Sequence, residues 1–234
     1  ALNHAEEMLR GGYLSHWNAA GLKPTRRFNL LGGYHTLTEN VYSQQSEDLQ
    51  LRESMELMLR TLMESEGHRA AILDPHHTHV GIGFAASGRQ LFAAQEFITR
   101  IGGEYDCPLA VEVGTEVEFA GRFDPERYSF SHVLVGWEDR PTTRDRGWLA
   151  KGRPYGEAET IIAACVADRN LSFAAVPVNQ SVVVDAAGGR FICSVELDFG
   201  DLEGLYYLFL WLTDNRTGLR VMAATATIDV SRQR

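Results

Sequence analysis

The chain has 234 residues, 44% of them hydrophobic, with 22 Lys and Arg against 31 Asp and Glu, for a net charge of −9. That length exceeds the usual single domain and argues for two, and the hydrophobic content is enough for a sizeable core. The acidic balance without a basic patch argues against a nucleic-acid partner, and no apolar run is long enough to be a transmembrane segment.

The opening, Ala-Leu-Asn-His-Ala-Glu-Glu-Met, reads as the middle of an amphipathic helix, as though a leading segment had been removed. Ala1, Ala5, Met8 and Leu9 recur at helical spacing, and Gly11-Gly12 ends that helix. Residues 13–29 read as irregular, punctuated by Gly21 and Pro24, and contain the run Leu14-Ser15-His16-Trp17-Asn18. Gly32-Gly33 precedes a segment that ends Thr38-Glu39-Asn40-Val41. Ser46-Glu47-Asp48 signals a helix start, and Leu51, Met55, Met58, Leu59 and Leu62 trace the face that helix is expected to bury.

Residues 62–84 hold the densest chemistry. His68, His76, His77 and His79 stand there with Glu64 and Glu66, around a short helical turn from Gly67 to Leu73 and an Asp74-Pro75 turn. Neutral imidazoles and carboxylates are what a metal or acid/base site needs. The plainer reading is a solvated polar turn. Two strands follow, 80–86 and 90–98, joined at Ser87-Gly88-Arg89.

Ile101-Gly102-Gly103 reads as a domain boundary, after which alternating patterns replace helical ones. About eight short strands are expected, over residues 111–119, 128–137, 160–166, 171–178, 181–185, 191–199, 205–213 and 221–230, a spacing that argues for an all-β sandwich. Gly204-Leu205-Tyr206 resembles a sandwich-strand entry in which a tyrosine pins the corner. Trp137, Trp148 and Trp211 are candidates for a carbohydrate- or partner-facing patch, against the plainer reading of core aromatics. Cys165 and Cys193 sit in apolar runs where a free buried thiol is the default, and a bridge between them would need facing strands.

The first hundred residues resemble the CAP, or SCP-like, superfamily in its bacterial form. His4-Ala5-Glu6-Glu7-Met8, Ser15-His16 with Gly21, Glu39-Asn40-Val41, Ser65-Glu66-Gly67-His68-Arg69-Ala70-Ala71-Ile72-Leu73 and Thr78-His79-Val80-Gly81-Ile82-Gly83 are similar to its motifs, in order. Thr38, Leu62, Glu66 and Ala71 depart from it, and Ser65 stands where some branches carry a second glutamate. The resemblance implies an α+β fold: an α–β–α sandwich over residues 1–101, here followed by an all-β immunoglobulin-like sandwich over 106–234.

It further implies a cleft able to hold Zn²⁺ or another divalent cation on His16, Glu39 and His76, with His68, His79, Glu64 and Glu66 as additional candidates. No catalytic residue is assigned. The expected protein is extracellular or of the cell envelope and binds an envelope component, lipid or protein partner. The alternatives are a metal-assisted hydrolase of peptide or envelope polymer, and a binder of apolar, lipid- or sterol-like ligands.

Overall fold

A computed structural model describes every residue except 169, 170, 172, 174, 175, 180, 201, 233 and 234. The chain divides into two compact units. The first is built from Ala1–Pro24, Leu37–Thr99 and Thr142–Tyr155, and the second from Thr25–Thr36, Arg100–Pro141 and Gly156–Arg234. Each half of the sequence therefore contributes a short segment to the unit formed mainly by the other half.

The first unit is a three-layer arrangement around a small sheet. β1 (Thr36–Gln45), β2 (His79–Ser87) and β3 (Gln90–Thr99) lie in the order β1-β3-β2, with β2 and β3 an antiparallel hairpin turned at Gly88. Side chains alternate across a strand, so neighbouring residues serve opposite faces. On one face Val41, Phe92 and Ala94 pack with Met8 of α1 (Leu2–Gly11), Tyr13 and Leu149. On the other, Tyr42, Leu91 and Ala93 pack with Met58 and Leu62 of α3 (Leu51–Glu64), beside which lies α4 (Glu66–Leu73). Helix, sheet and helix are thus stacked in that order.

α1 stops because Gly12 adopts φ 61, which turns the N–H groups of Gly12 and Tyr13 back onto the carbonyls of Leu9 and Met8. The segment Thr142–Tyr155 adds α5 (Arg146–Leu149), whose Asp145 side chain accepts from the Trp148 N–H. Arg144 N–H donates to the Ala19 carbonyl, and Arg146 Nε to the Gly12 carbonyl. Gly21, at φ 79, is required where the Thr142 carbonyl passes, because a Cβ there would overlap it.

The buried stripe of α3 corrects the sequence reading. Ser54, Met58 and Leu62 face the sheet, while Leu51, Met55 and Leu59 are exposed. Positions four apart stack on one face, so the helix has two apolar stripes and the sheet covers the one through Met58 and Leu62.

The second unit has two sheets over one core. The smaller is ordered β10 (Val182–Asp185), β11 (Arg190–Glu196), β6 (Glu116–Arg122) and β4 (Gly103–Asp106). The larger is ordered β5 (Ala110–Glu112), β13 (Arg220–Ser231), β12 (Gly204–Asp214), β7 (Tyr128–Glu138), β8 (Thr160–Val166) and β9 (Val178–Asn179). Phe119 and Phe191 of one sheet and Val133, Tyr206 and Leu208 of the other share a single buried cluster. Tyr206 Oη donates to the Leu202 carbonyl at 2.8 Å, pinning the entry to β12.

The strand expected over 171–178 is not formed where it can be described: Leu171, Phe173, Val176 and Pro177 are outside any strand, and 172, 174 and 175 lie outside the described residues. Residues 25–36, expected to open irregularly, instead begin in the helix α2 (Pro24–Asn29) and dock on the second unit by polar contacts. Arg26 donates to the carbonyls of Thr227 and Leu109, Asn29 to that of Thr225, and Tyr34 to that of Cys107.

Candidate functional site

His16 and Glu39 are brought together by two different pieces of local structure. His16 lies in the loop after α1, and that loop is held from several directions. His4, buried in α1, donates from Nε2 to the Ser15 carbonyl at 2.8 Å. Glu7 accepts from the Ala19 N–H at 2.8 Å and from Tyr13 Oη at 3.2 Å. Ser15 Oγ accepts from the Trp17 N–H, and Asn18 Oδ1 from the Leu22 N–H. The side chains of His4, Ser15 and Asn18 thus fix the backbone on either side of His16.

Glu39 projects from β1, and its side chain is fully buried. Its neighbour Asn40 points to the opposite face, where Nδ2 donates to Gln95 Oε1 of β3 and to the His68 carbonyl of α4. His16 Nδ1 and Glu39 Oε1 are 2.9 Å apart. A carboxylate can only accept, so Nδ1 carries the proton in this contact and the lone pair of the neutral ring resides on Nε2. A buried carboxylate orienting an imidazole in this way makes the other ring nitrogen a stronger ligand or proton acceptor.

The aromatic wall of the pair comes from much later in the chain. The Tyr155 ring lies 4.6 Å from the His16 ring, and the Tyr155 hydroxyl oxygen accepts from the Glu39 N–H at 3.3 Å. Trp17 meets Tyr155 at 6.3 Å and Trp148 at 5.4 Å, edge-on in both cases. The Arg144 and Arg153 guanidiniums lie over the Trp148 ring at 4.4 and 5.0 Å. Sequence reading did not find Tyr155, Arg144 or Arg153, because no pattern near them marks a strand or a motif. It found Trp148 but grouped it with Trp137 and Trp211. The structure separates them: Trp148 belongs to the first unit, whereas Trp211 stacks on His132 and Trp137 donates to the Glu203 carbonyl in the second.

His76, His79, Glu64 and Glu66 occupy a different setting. His76 donates from Nδ1 to Asp74 Oδ1 at 2.8 Å in an exposed turn, and with the His76 N–H holds the Asp74 carboxyl below its usual range. His79 is exposed and bonded to Thr78 Oγ1. Glu64 and Glu66 are exposed at the α3–α4 junction. His68 is half-buried, and burial, then the charge of His16, lowers its pKa. Among the described residues no three His, Cys, Asp or Glu side chains are gathered as a metal ion requires. Of the expected ligands the structure therefore pairs His16 with Glu39, whose carboxylate orients the ring from Nδ1, short of the three protein ligands typical of a zinc centre.

Residues 1–99 match the family model described as CAP, the cysteine-rich secretory protein family. The match supports a CAP superfamily domain over those residues. Among curated proteins none matches the chain. No helix among the described residues is long and apolar enough to cross a membrane.

Proposed function

We propose, on the CAP match over residues 1–99, that this is a binding protein of the cell exterior or envelope and that its ligand engages the His16–Glu39 pair. The observation that carries the reading is the buried Glu39 carboxylate held on His16 Nδ1 at 2.9 Å, with Tyr155 against the ring. That arrangement presents one oriented imidazole nitrogen beside an aromatic wall. It supports recognition of a ligand that donates a hydrogen bond to the imidazole and packs against Tyr155 and Trp17. The second unit supports an immunoglobulin-like reading, through its strand order, the parallel β5–β13 pair and the Tyr206 corner. Such a sandwich fits a spacing or docking role.

A divalent cation is the second reading, favoured by the neutral nitrogen and the adjacent carboxylate. Glu39 orients the ring from Nδ1 and Nε2 is the ligating nitrogen of the pair, so the expected affinity for Zn²⁺ is weak, and no reaction step is assigned to an ion there.

The test uses the whole chain. Titration calorimetry with Zn²⁺ is expected to show weak binding that is lost in His16→Ala and falls as the pH drops through the imidazole range, because the ligating nitrogen must be unprotonated. The same protein is then incubated with envelope polymer, peptide and ester substrates, with and without Zn²⁺. Retention on the polymer without turnover is the expected result. Turnover that vanishes in Glu39→Gln, with the fold intact by circular dichroism, would replace the binding reading with a hydrolase.

A further inference from the structure

Two of the three cysteines face each other across the core of the second unit. Cys165 lies on β8 of the larger sheet, opposite Val133 of β7. Cys193 lies on β11 of the smaller sheet, opposite Phe119 of β6 and Val182 of β10. Residues directly opposite on neighbouring strands share a face, and Val133 and Phe119 are both fully buried in the common core. Both cysteines are therefore inward-facing from opposed sheets, and both are 0% exposed. Cys165 is the foremost electrostatic neighbour of Cys193 in that core, and all three cysteines are free in the structure.

We propose that Cys165 and Cys193 are a built modification site, which closes to a disulfide joining β8 to β11 when the chain folds in the presence of a disulfide oxidant. The geometric requirement for such a bridge is facing Cβ atoms on opposed strands, and the inward placement of both cysteines from the two sheets in one buried cluster supplies the facing. Closure sets the sulfur separation at about 2.05 Å.

The exchange balances as follows. One cysteine thiolate attacks a small-molecule disulfide and displaces one of its sulfurs as a thiolate, leaving a mixed disulfide. The second cysteine thiolate then attacks the protein sulfur and releases the other half. The two cysteines are oxidised, the reagent is reduced to two thiols, and the two cysteine protons end on those thiols.

Burial decides when this happens. In the folded core the neighbouring Cys165 thiol, then loss of water, pushes the Cys193 pKa up. The attacking species is the thiolate, so the reduced folded protein reacts slowly and closure belongs to the folding step. Cys107, in the same core, is pushed up to about 12 by burial and then by Asp106, and it is expected to stay free. The inference goes beyond the binding reading and meets it at one point, since an oxidising exterior is where such a pair closes.

The whole chain is unfolded under reducing conditions, refolded with oxidised glutathione, denatured in iodoacetamide and digested with trypsin. The three cysteines fall in separate tryptic peptides, 101–122, 152–169 and 191–216. The expected result is 152–169 linked to 191–216, lighter by two hydrogens than the two peptides together, with 101–122 alkylated at Cys107. Alkylation of all three cysteines, or a link through Cys107, overturns the proposal. A thermal midpoint that falls by about 5–10 °C on reduction, with no such fall in Cys165→Ala, supports it. If refolded protein closes the bridge while protein taken from its natural source carries three free thiols, the exterior reading fails and the assigned pair stands.

Discussion

His132 shows how a single side chain can carry an environment that no sequence pattern reveals. Its imidazole lies between the rings of Phe173, at 4.9 Å, and Trp211, at 6.0 Å, with Nδ1 bonded to Ser131 Oγ and Arg220 nearby in charge. Burial first, then Arg220, holds its pKa down to about 4 from an ordinary value of 6.5. The folded state therefore disfavours the proton, and the unfolded state takes it up first as the pH falls. The resulting stability is fully present above pH 6.5 and is lost as the pH falls through about 4. Urea unfolding followed between those values is expected to show a falling midpoint in the native chain and a smaller fall in His132→Asn, which keeps a polar atom for Ser131. Equal falls in the two proteins would mean that other groups carry the acid sensitivity.

The same scale explains what was legible at the site. His16 and Glu39 stood out because short motifs surround each of them, and those motif residues are the ones that lock the loop and the strand. Tyr155 did not, because its place at the pair depends on a fold-level return of the chain. His76 and His79 stood out for their chemistry, but their turn is exposed and their ring nitrogens bond locally to Asp74 and Thr78.

At the scale of elements, type was easier to read than facing. The period of α3 was clear, but five apolar positions offered two stripes and only the sheet chooses between them. The choice can be checked directly. Leu62, 2% exposed among Tyr42, Leu91 and Ala93, is expected to cost about 2–5 kcal/mol on truncation to Ala. Leu59, 48% exposed on the neighbouring stripe, is expected to change stability by less than about 0.5 kcal/mol in the same substitution. Chemical denaturation of both variants in the whole chain measures the difference, and equal costs would restore the broader face expected from the sequence. α2 escaped reading for a different reason. It is six residues long, and its anchors are Arg26 and Asn29, which bond to backbone carbonyls instead of filling an apolar stripe. Periodicity has nothing to detect in such an element.

For the whole molecule, the consequence lies in how the chain is shared out. The periodicity changes near residue 101, and the sequence reads as one domain before that point and another after it. The units instead take Thr142–Tyr155 into the first and Thr25–Thr36 into the second. Those segments are structural parts. Leu149 is 2% exposed in the α1 core beside Met8 and Tyr13, and Tyr155 backs His16. Asn29 is 0% exposed, and an Asn there that loses its carbonyl partner at Thr225 costs about 1–3 kcal/mol for the buried polar group alone. A cut after residue 101 removes such a segment from each unit. Fragment 1–101 then exposes the face of α1 that Leu149 covers, and fragment 102–234 leaves the carbonyls of Leu109, Thr225 and Thr227 without the donors from Arg26 and Asn29. With net stabilities of only about 5–15 kcal/mol, losses of this kind are large. Each fragment alone is expected to melt over a broad range and to bind the dye ANS, whereas the two co-expressed are expected to co-purify, melt sharply and lose the dye signal, since each supplies what the other lacks. A fragment 1–101 that unfolds cooperatively on its own, with its His16 imidazole resonances unchanged from those of the whole chain, would show instead that residues 142–155 are dispensable to the first unit and that the boundary near residue 101 is the one that matters for folding.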